Sequence, residues 1–303
     1  MLLGLLATPA SAAPSYLSEL QAQARARGLA HTRTWQVLLH YHPTLWGGWR
    51  SSADGPGFFF AGDRGASDPE AELAATLAAF AAPAAPAGDS SEASQHPQCR
   101  FPARWSWLKQ ELAIDTQRLA EQACPMFAMW RQAIAPEKVA LVYSAAYINS
   151  PASMYGHTFL RLTRGTGAGQ RLIDYIVNFA ADATTNNGVL YAIFGLTGSF
   201  PGHFYVMPYY VKIQEYSNIE SRDLWEYQLA LTEAEAERLV EHTWETRSTH
   251  FNYYFITENC SFFLLELLEA ARPSLHLSER FHGPVIPTET VRAILSVPGL
   301  VEG

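Results

Sequence analysis

Glu258-Asn259-Cys260-Ser261-Phe262-Phe263-Leu264-Leu265-Glu266-Leu267-Leu268-Glu269-Ala270 is the stretch on which the fold turns. Asn259 is a good N-cap, the apolar run after it reads as helix, and Pro273 stops it. Cys260 therefore stands in the first turn of an apolar helix. The unpaired N–H groups and the dipole at that end favour an anion. A thiolate so placed has a lowered pKa and is a nucleophile. The bland alternative is a small hydrophobe in a core helix.

Working upstream, Phe251 to Ile256 reads as a strand or extended entry, and Thr232 with Glu235 forms a capping box opening a helix to about Arg247. Leu224 to Leu229 is a short strand, and Gly202 to Val211 is aromatic and β-prone. Val139 to Ser144 and His157 to Thr163 read as strands, the turn formers 164–170 follow, and Arg171 to Asn178 returns. His157 comes directly after the turn-forming stretch 149–156, so it stands at the mouth of a sheet. A His at a strand end beside a helix-start Cys is the geometry a thiol base needs; a hydrogen-bonded structural His is the alternative. With the turn centred between Gly167 and Ala168, position 157 pairs with 178. Asn178 then offers a side-chain carbonyl to fix the imidazole tautomer. A one-residue slip sends Asn178 to the other face, with Asp174 as fallback. A zinc site from His157, His203 and Cys260 lacks close ligand spacing, and no nucleophile elbow, P-loop or dinucleotide fingerprint occurs. The aromatic and apolar run from Val189 to Tyr210, with Phe194, Leu196, Phe200, Phe204 and Tyr205, is either a lipid-facing wall or core packing; aromatic strands more often pack inward.

The N-terminal part is mostly helical. Residues 15–45 carry partial helical spacing broken at Gly28, and Ser67-Asp68-Pro69 opens a helix to about Phe80. Phe58-Phe59-Phe60 reads as a short strand, His40-Tyr41-His42 as packed structure, and 99–135 as helical. A Pro-, Ala- and Ser-rich loop lies near 81–98. Residues 1–13 read as an export signal, with Ala10-Ser11-Ala12 as cleavage site. Export favours a disulfide between Cys99 and Cys124 and leaves Cys260 as the odd thiol; three unpaired cysteines is the alternative. The organisation expected is thus 1–13 signal, 14–135 helical region and 136–303 catalytic domain.

The chain has 303 residues, 48% hydrophobic and 17% charged, which is a globular composition. Its net charge of −8 and lack of a basic stripe argue against nucleic acid as a partner. No segment has the length of uninterrupted apolar sequence that spans a membrane.

Gly156 to Leu162 and Glu258 to Phe262 together make the chain resemble the Lnb N-terminal periplasmic domain family. Supporting stretches are Cys99 to Arg104, Ser150 to Ser153, Arg222 to Tyr227 and Glu269 to Pro273. The His-before-Cys order also resembles the circularly permuted NlpC-like branch of the papain superfamily. The resemblance implies an α+β, papain-like core, in which an antiparallel sheet packs on the Cys-bearing helix beside a helical N-terminal region. It implies a thioester acyl-enzyme on Cys260 with His157 as base, acylation of lipoprotein amino termini from a lipid donor, a membrane-peripheral location in the periplasm, and no cofactor. Cell-wall peptide amidase and non-catalytic envelope binding module are the rival functions.

Overall fold

The structure, a computed structural model, describes residues 15–83, 95–145, 155–165, 174–182, 185, 187–214 and 223–302. The export signal, most of the 81–98 loop, most of the 164–170 turn, the 150–153 stretch and the first residues of the return strand lie outside them.

The N-terminal region is helical, as its spacing predicts. Helix α1 (Tyr16–Ala26) ends before Gly28, whose φ of 62° breaks the run, and α2 (Arg33–Leu38) follows from a Thr32 cap. A small ribbon of β1 (Tyr41–Pro43) and β2 (Trp49–Ser51) leads to α3 (Pro69–Phe80), which Asp68 caps through the Ala71 N–H. Phe58-Phe59-Phe60 is not a strand. The N–H groups of Phe60 and Ala61 are taken by the Glu72 carboxylate at 2.8–3.0 Å, and the rings of Phe58, Phe60 and Phe101 pack edge to face. Segment 99–135 is not continuous helix. It divides into α4 (Pro97–Arg100), α5 (Pro102–Glu111) and α6 (Pro125–Ile134), with prolines opening each. The Cys99–Cys124 disulfide ties the non-helical connection between α5 and α6 back to α4.

The second part is built on a six-stranded antiparallel sheet in the order β7-β3-β4-β5-β6-β8. Its strands are β3 (Lys138–Ser144), β4 (His157–Thr163), β5 (Tyr175–Ala181), β6 (Phe200–Pro208), β7 (Leu224–Leu229) and β8 (Phe251–Tyr253). Helix α7 (Gly188–Thr197) separates β5 from β6, and α8 (Tyr209–Ile213) follows β6. Sequence alternation decides the faces. Leu160, Leu162, Val177 and Phe179 join the main core, whereas Phe159, Ile176 and Tyr209 form a smaller cluster with Val142 on the other face.

Helix α9 (Glu233–Thr246), with the expected Thr232–Glu235 capping box, packs on α10 (Cys260–Ala271); α11 (Pro287–Leu295) closes the chain. Every residue of α10 is buried, as befits a helix enclosed on all sides. The sheet lies on one side of it, and α2 and α9 on others. One apolar cluster runs from Leu20, Trp35 and Leu77 through Leu264 and Leu268 to Phe179. The N-terminal helices and the sheet thus share a core around α10. No helix among the described residues is long and apolar enough to cross a membrane.

Candidate active site

Cys260 opens α10 at the end of β4. It is buried and unpaired, the other two cysteines being bonded to each other. Asn259 is the N-cap, and its side-chain oxygen accepts from the N–H groups of Ser261 and Phe262 at 3.1 and 3.4 Å. Those N–H groups are therefore committed to the cap and are not open to an anion. The Asn259 amide in turn donates to the Val285 carbonyl at 2.7 Å, which fixes the start of the helix.

The sulfur draws its stabilisation from groups on β4 and β8 instead. Burial pushes the Cys260 thiol up. The charge and hydrogen bond of His157, the Thr158 N–H and the Tyr253 hydroxyl outweigh it and bring the thiol down to about 7. His157 moves the opposite way. Burial lowers it, but the Cys260 sulfur and the Asn178 side chain raise it above the ordinary imidazole range. One proton is thus shared between thiol and ring near neutrality, and thiolate–imidazolium is an accessible state.

His157 Nε2 lies 2.5 Å from Asn178 Oδ1. An amide oxygen only accepts, so Nε2 carries a proton and Nδ1 is left for the thiol. The strand register differs from the one hairpin arithmetic predicts. Leu160 pairs with Val177 and Leu162 with Tyr175, a shift of two residues that would set His157 opposite Ala180. A two-residue shift keeps the face, and Asn178 reaches His157 diagonally. Asp174, the fallback, is elsewhere: it is buried against Arg161 at 2.8 Å. His203 is 3.1 Å from Asp182 and does not join Cys260.

Gly156 makes the approach to His157 possible. Its φ is 95°, and a Cβ there would come within 2.6 Å of the Tyr143 ring and 2.9 Å of the Ser144 carbonyl.

Tyr253 is the site residue that sequence reasoning missed. Its hydroxyl accepts from the Cys260 N–H at 3.4 Å and also bonds the sulfur. Burial and the adjacent Cys260 hold its phenol well above the usual range, so it keeps its proton and remains a donor. The only signal in the sequence is its place seven residues before Cys260, in the extended segment that feeds the helix.

A cavity of about 280 Å³ opens over Cys260. Tyr191, Ala192, Leu196, Tyr253, Phe255 and Ile256 line it, and none of its described lining residues is charged. The Val189–Tyr210 run divides. Phe200 and Phe204 are core, as inward packing predicts. The first part is helix rather than strand: α7 lies close on Phe255, where a Cβ on Gly195 would come within 2.2 Å of the ring. Its outer side chains are exposed, Val189 by 71% and Leu196 by 57%.

Residues 126–297 match the family model described as the Lnb N-terminal periplasmic domain. Residues 27–111 match a second, described as a domain of unknown function (DUF7843). No curated protein and no solved structure matches the chain. The first match spans more than half of the sequence and contains Cys260, His157, Asn178 and Tyr253; the chain belongs to the Lnb N-terminal periplasmic domain family and is a protein of the periplasm and cell envelope.

Proposed function

We propose that this protein is a Cys–His acyl-transfer enzyme that forms a thioester on Cys260 and passes the acyl group from a phospholipid or lipoprotein donor to a lipoprotein amino terminus. What carries the assignment is the joining of a Cys260–His157–Asn178 constellation to an apolar cavity that has no charged residue among its described lining residues. In the proposed mechanism His157 accepts the thiol proton and the Cys260 thiolate attacks the ester carbonyl. The tetrahedral oxyanion forms beside the Tyr253 hydroxyl, which donates at the sulfur while accepting from the Cys260 N–H. Collapse breaks the ester C–O bond, and the imidazolium protonates the departing alkoxide. The acceptor amine then attacks the thioester, gives its proton to His157 and releases the thiolate. Asn178 keeps the ring in the tautomer both half-reactions require.

The core is, on this proposal, the circularly permuted papain-like one: the His strand precedes the Cys helix, and the helix packs on an antiparallel sheet. The exposed apolar side of α7, at the rim of the cavity, suits a protein that works at a membrane surface. Incubation with phospholipid followed by intact-mass measurement tests the function. A fatty-acyl mass on Cys260, lost with hydroxylamine and absent from Cys260→Ala, is expected. Hydrolysis of cell-wall peptides with no acyl adduct would establish the amidase instead.

A further inference from the structure

The two helices that build the nucleophile's surroundings carry four buried carboxylates, Glu241 and Glu245 on α9 and Glu266 and Glu269 on α10. Each finds a partner in the segment 27–111. Ser106 donates to Glu241 at 2.7 Å, and the Arg104 backbone N–H to Glu245 at 2.8 Å. His40 and His42 both face Glu266, at 2.8 and 2.5 Å, and Arg33 pairs with Glu269 at 2.8 Å. A buried carboxylate stripped of its partner is strongly destabilising, so α9 and α10 depend on that segment.

Within this interface four side chains run in line. Glu245 Oε2 is 3.0 Å from His242 Nδ1, His242 Nε2 is 3.1 Å from His40 Nε2, and His40 Nδ1 is 2.8 Å from Glu266 Oε2. Three links need three protons. Two neutral imidazoles supply one each. The third has to be bound in addition.

We propose that the 27–111 segment positions the nucleophile helix through a directional hydrogen-bond chain, Glu245 to His242 to His40 to Glu266, that closes only when Glu245 carries a proton. The direction follows from the ends. Glu266 accepts from His40 and also faces His42, so it is the ionised end, held down to about 2: burial opposes this, and the two histidines outweigh it. Burial lowers both His40 and His242, keeping the rings neutral, and raises Glu245 to about 7 despite Arg104. His40 is then the Nδ1–H tautomer and His242 the Nε2–H tautomer. Charge balances on the same assignment, with Glu72 against Arg104 and Glu266 against His42.

Other charged groups face this chain. Arg104 on α5 and Glu241 on α9 lie beside Glu245; His42 on β1, Glu258 before α10 and Glu269 on α10 lie near Glu266. In a Glu245→Gln protein, whose amide is the isostere of the protonated carboxyl, they titrate as they do beside a protonated Glu245. The ratio of the two proteins therefore reads the ionisation of Glu245 together with its coupling to them.

The test needs no substrate. In the full chain labelled with 15N-histidine, long-range 1H–15N correlation at pH 6 is expected to show His40 protonated on Nδ1 alone and His242 on Nε2 alone. The reverse pair, or imidazolium on either ring, overturns the proposal, and this measurement holds even where the variant does not fold. Amide exchange of α10 supplies the pH profile. A carboxyl raised in the folded state stabilises below its unfolded pKa and loses that effect as pH rises through the folded value. From pH 5 to 8 the wild-type opening constant relative to Glu245→Gln is expected to grow by about 10²-fold. A ratio independent of pH refutes it, whatever the enzyme's activity proves to be.

Discussion

Replacing His157 by Gln tests the electrostatics of the site at its centre. Cys260 is held at about 7 against an ordinary 9.0, with burial pushing the other way, so the whole downward effect comes from neighbours, and His157 is the first of them. At pH 7 the wild-type thiol is half ionised. Without the imidazole its pKa returns at least to the ordinary value, and the ionised fraction falls to about 1%. The Thr158 N–H and Tyr253 hydroxyl remain but do not neutralise a buried charge. The assay is the rate of iodoacetamide alkylation against pH, from 5 to 10, followed by intact mass. Cys260 is the only free cysteine, so the adduct is unambiguous. A thiolate of higher pKa is also the better nucleophile, so the midpoint of the profile, not the rate at one pH, is the quantity to read. The midpoint is expected near 7 in the wild type and above 9 in His157→Gln. A Gln variant that is folded by circular dichroism and still titrates near 7 would refute the pairing of Cys260 with His157.

Asn178→Ala removes the acceptor on His157 Nε2; kcat for the proposed acyl transfer should fall on the order of tenfold with KM unchanged, and stability by about 1 kcal/mol in urea unfolding. Tyr253→Phe removes a donor at the sulfur and strands the Cys260 N–H, so kcat should drop about 10²-fold while the thiol midpoint moves upward in the alkylation assay. Cys99→Ser with Cys124→Ser opens a loop of sequence separation 25, and the urea midpoint should shift by an amount corresponding to about 3 kcal/mol.

Much of the sheet was legible because its strands carry their own signals. His157–Thr163 and Leu224–Leu229 have the bounds that alternation and flanking turns predict, and Thr232–Glu235 forms its capping box. Other features were hidden because they depend on distant partners. Phe58-Phe59-Phe60 has the composition of a strand, yet Glu72 takes the N–H groups that pairing would need. The Val189–Thr197 stretch has no polar face to declare a helix, and only the Asn187 cap, bonded to the Val189 and Leu190 N–H groups, marks its start. The meeting of Cys260, His157 and Asn178 was readable from position, although the register linking the last two was wrong by two residues. Tyr253 was not readable, since a Tyr in an extended segment is ordinary until the fold places its hydroxyl against a sulfur.

The least legible feature is also the one that joins the two matched segments. Glu266 and Glu269 in an apolar helix look like the solvent-facing positions of an amphipathic pattern, and His40 and His42 like parts of an aromatic stretch. Neither pattern shows by itself that these side chains meet. A helix buried on every side gains hydrophobic stabilisation over its whole surface, but any carboxylate on it must then be neutralised from another part of the chain. Here Arg33 does so for Glu269 and His42 for Glu266, to which the neutral His40 adds a hydrogen bond. Burying the Cys260 helix and requiring the N-terminal segment are therefore one structural decision. On the positioning proposed above, the sulfur at the end of that helix keeps its place opposite His157 only while the segment keeps its charges paired.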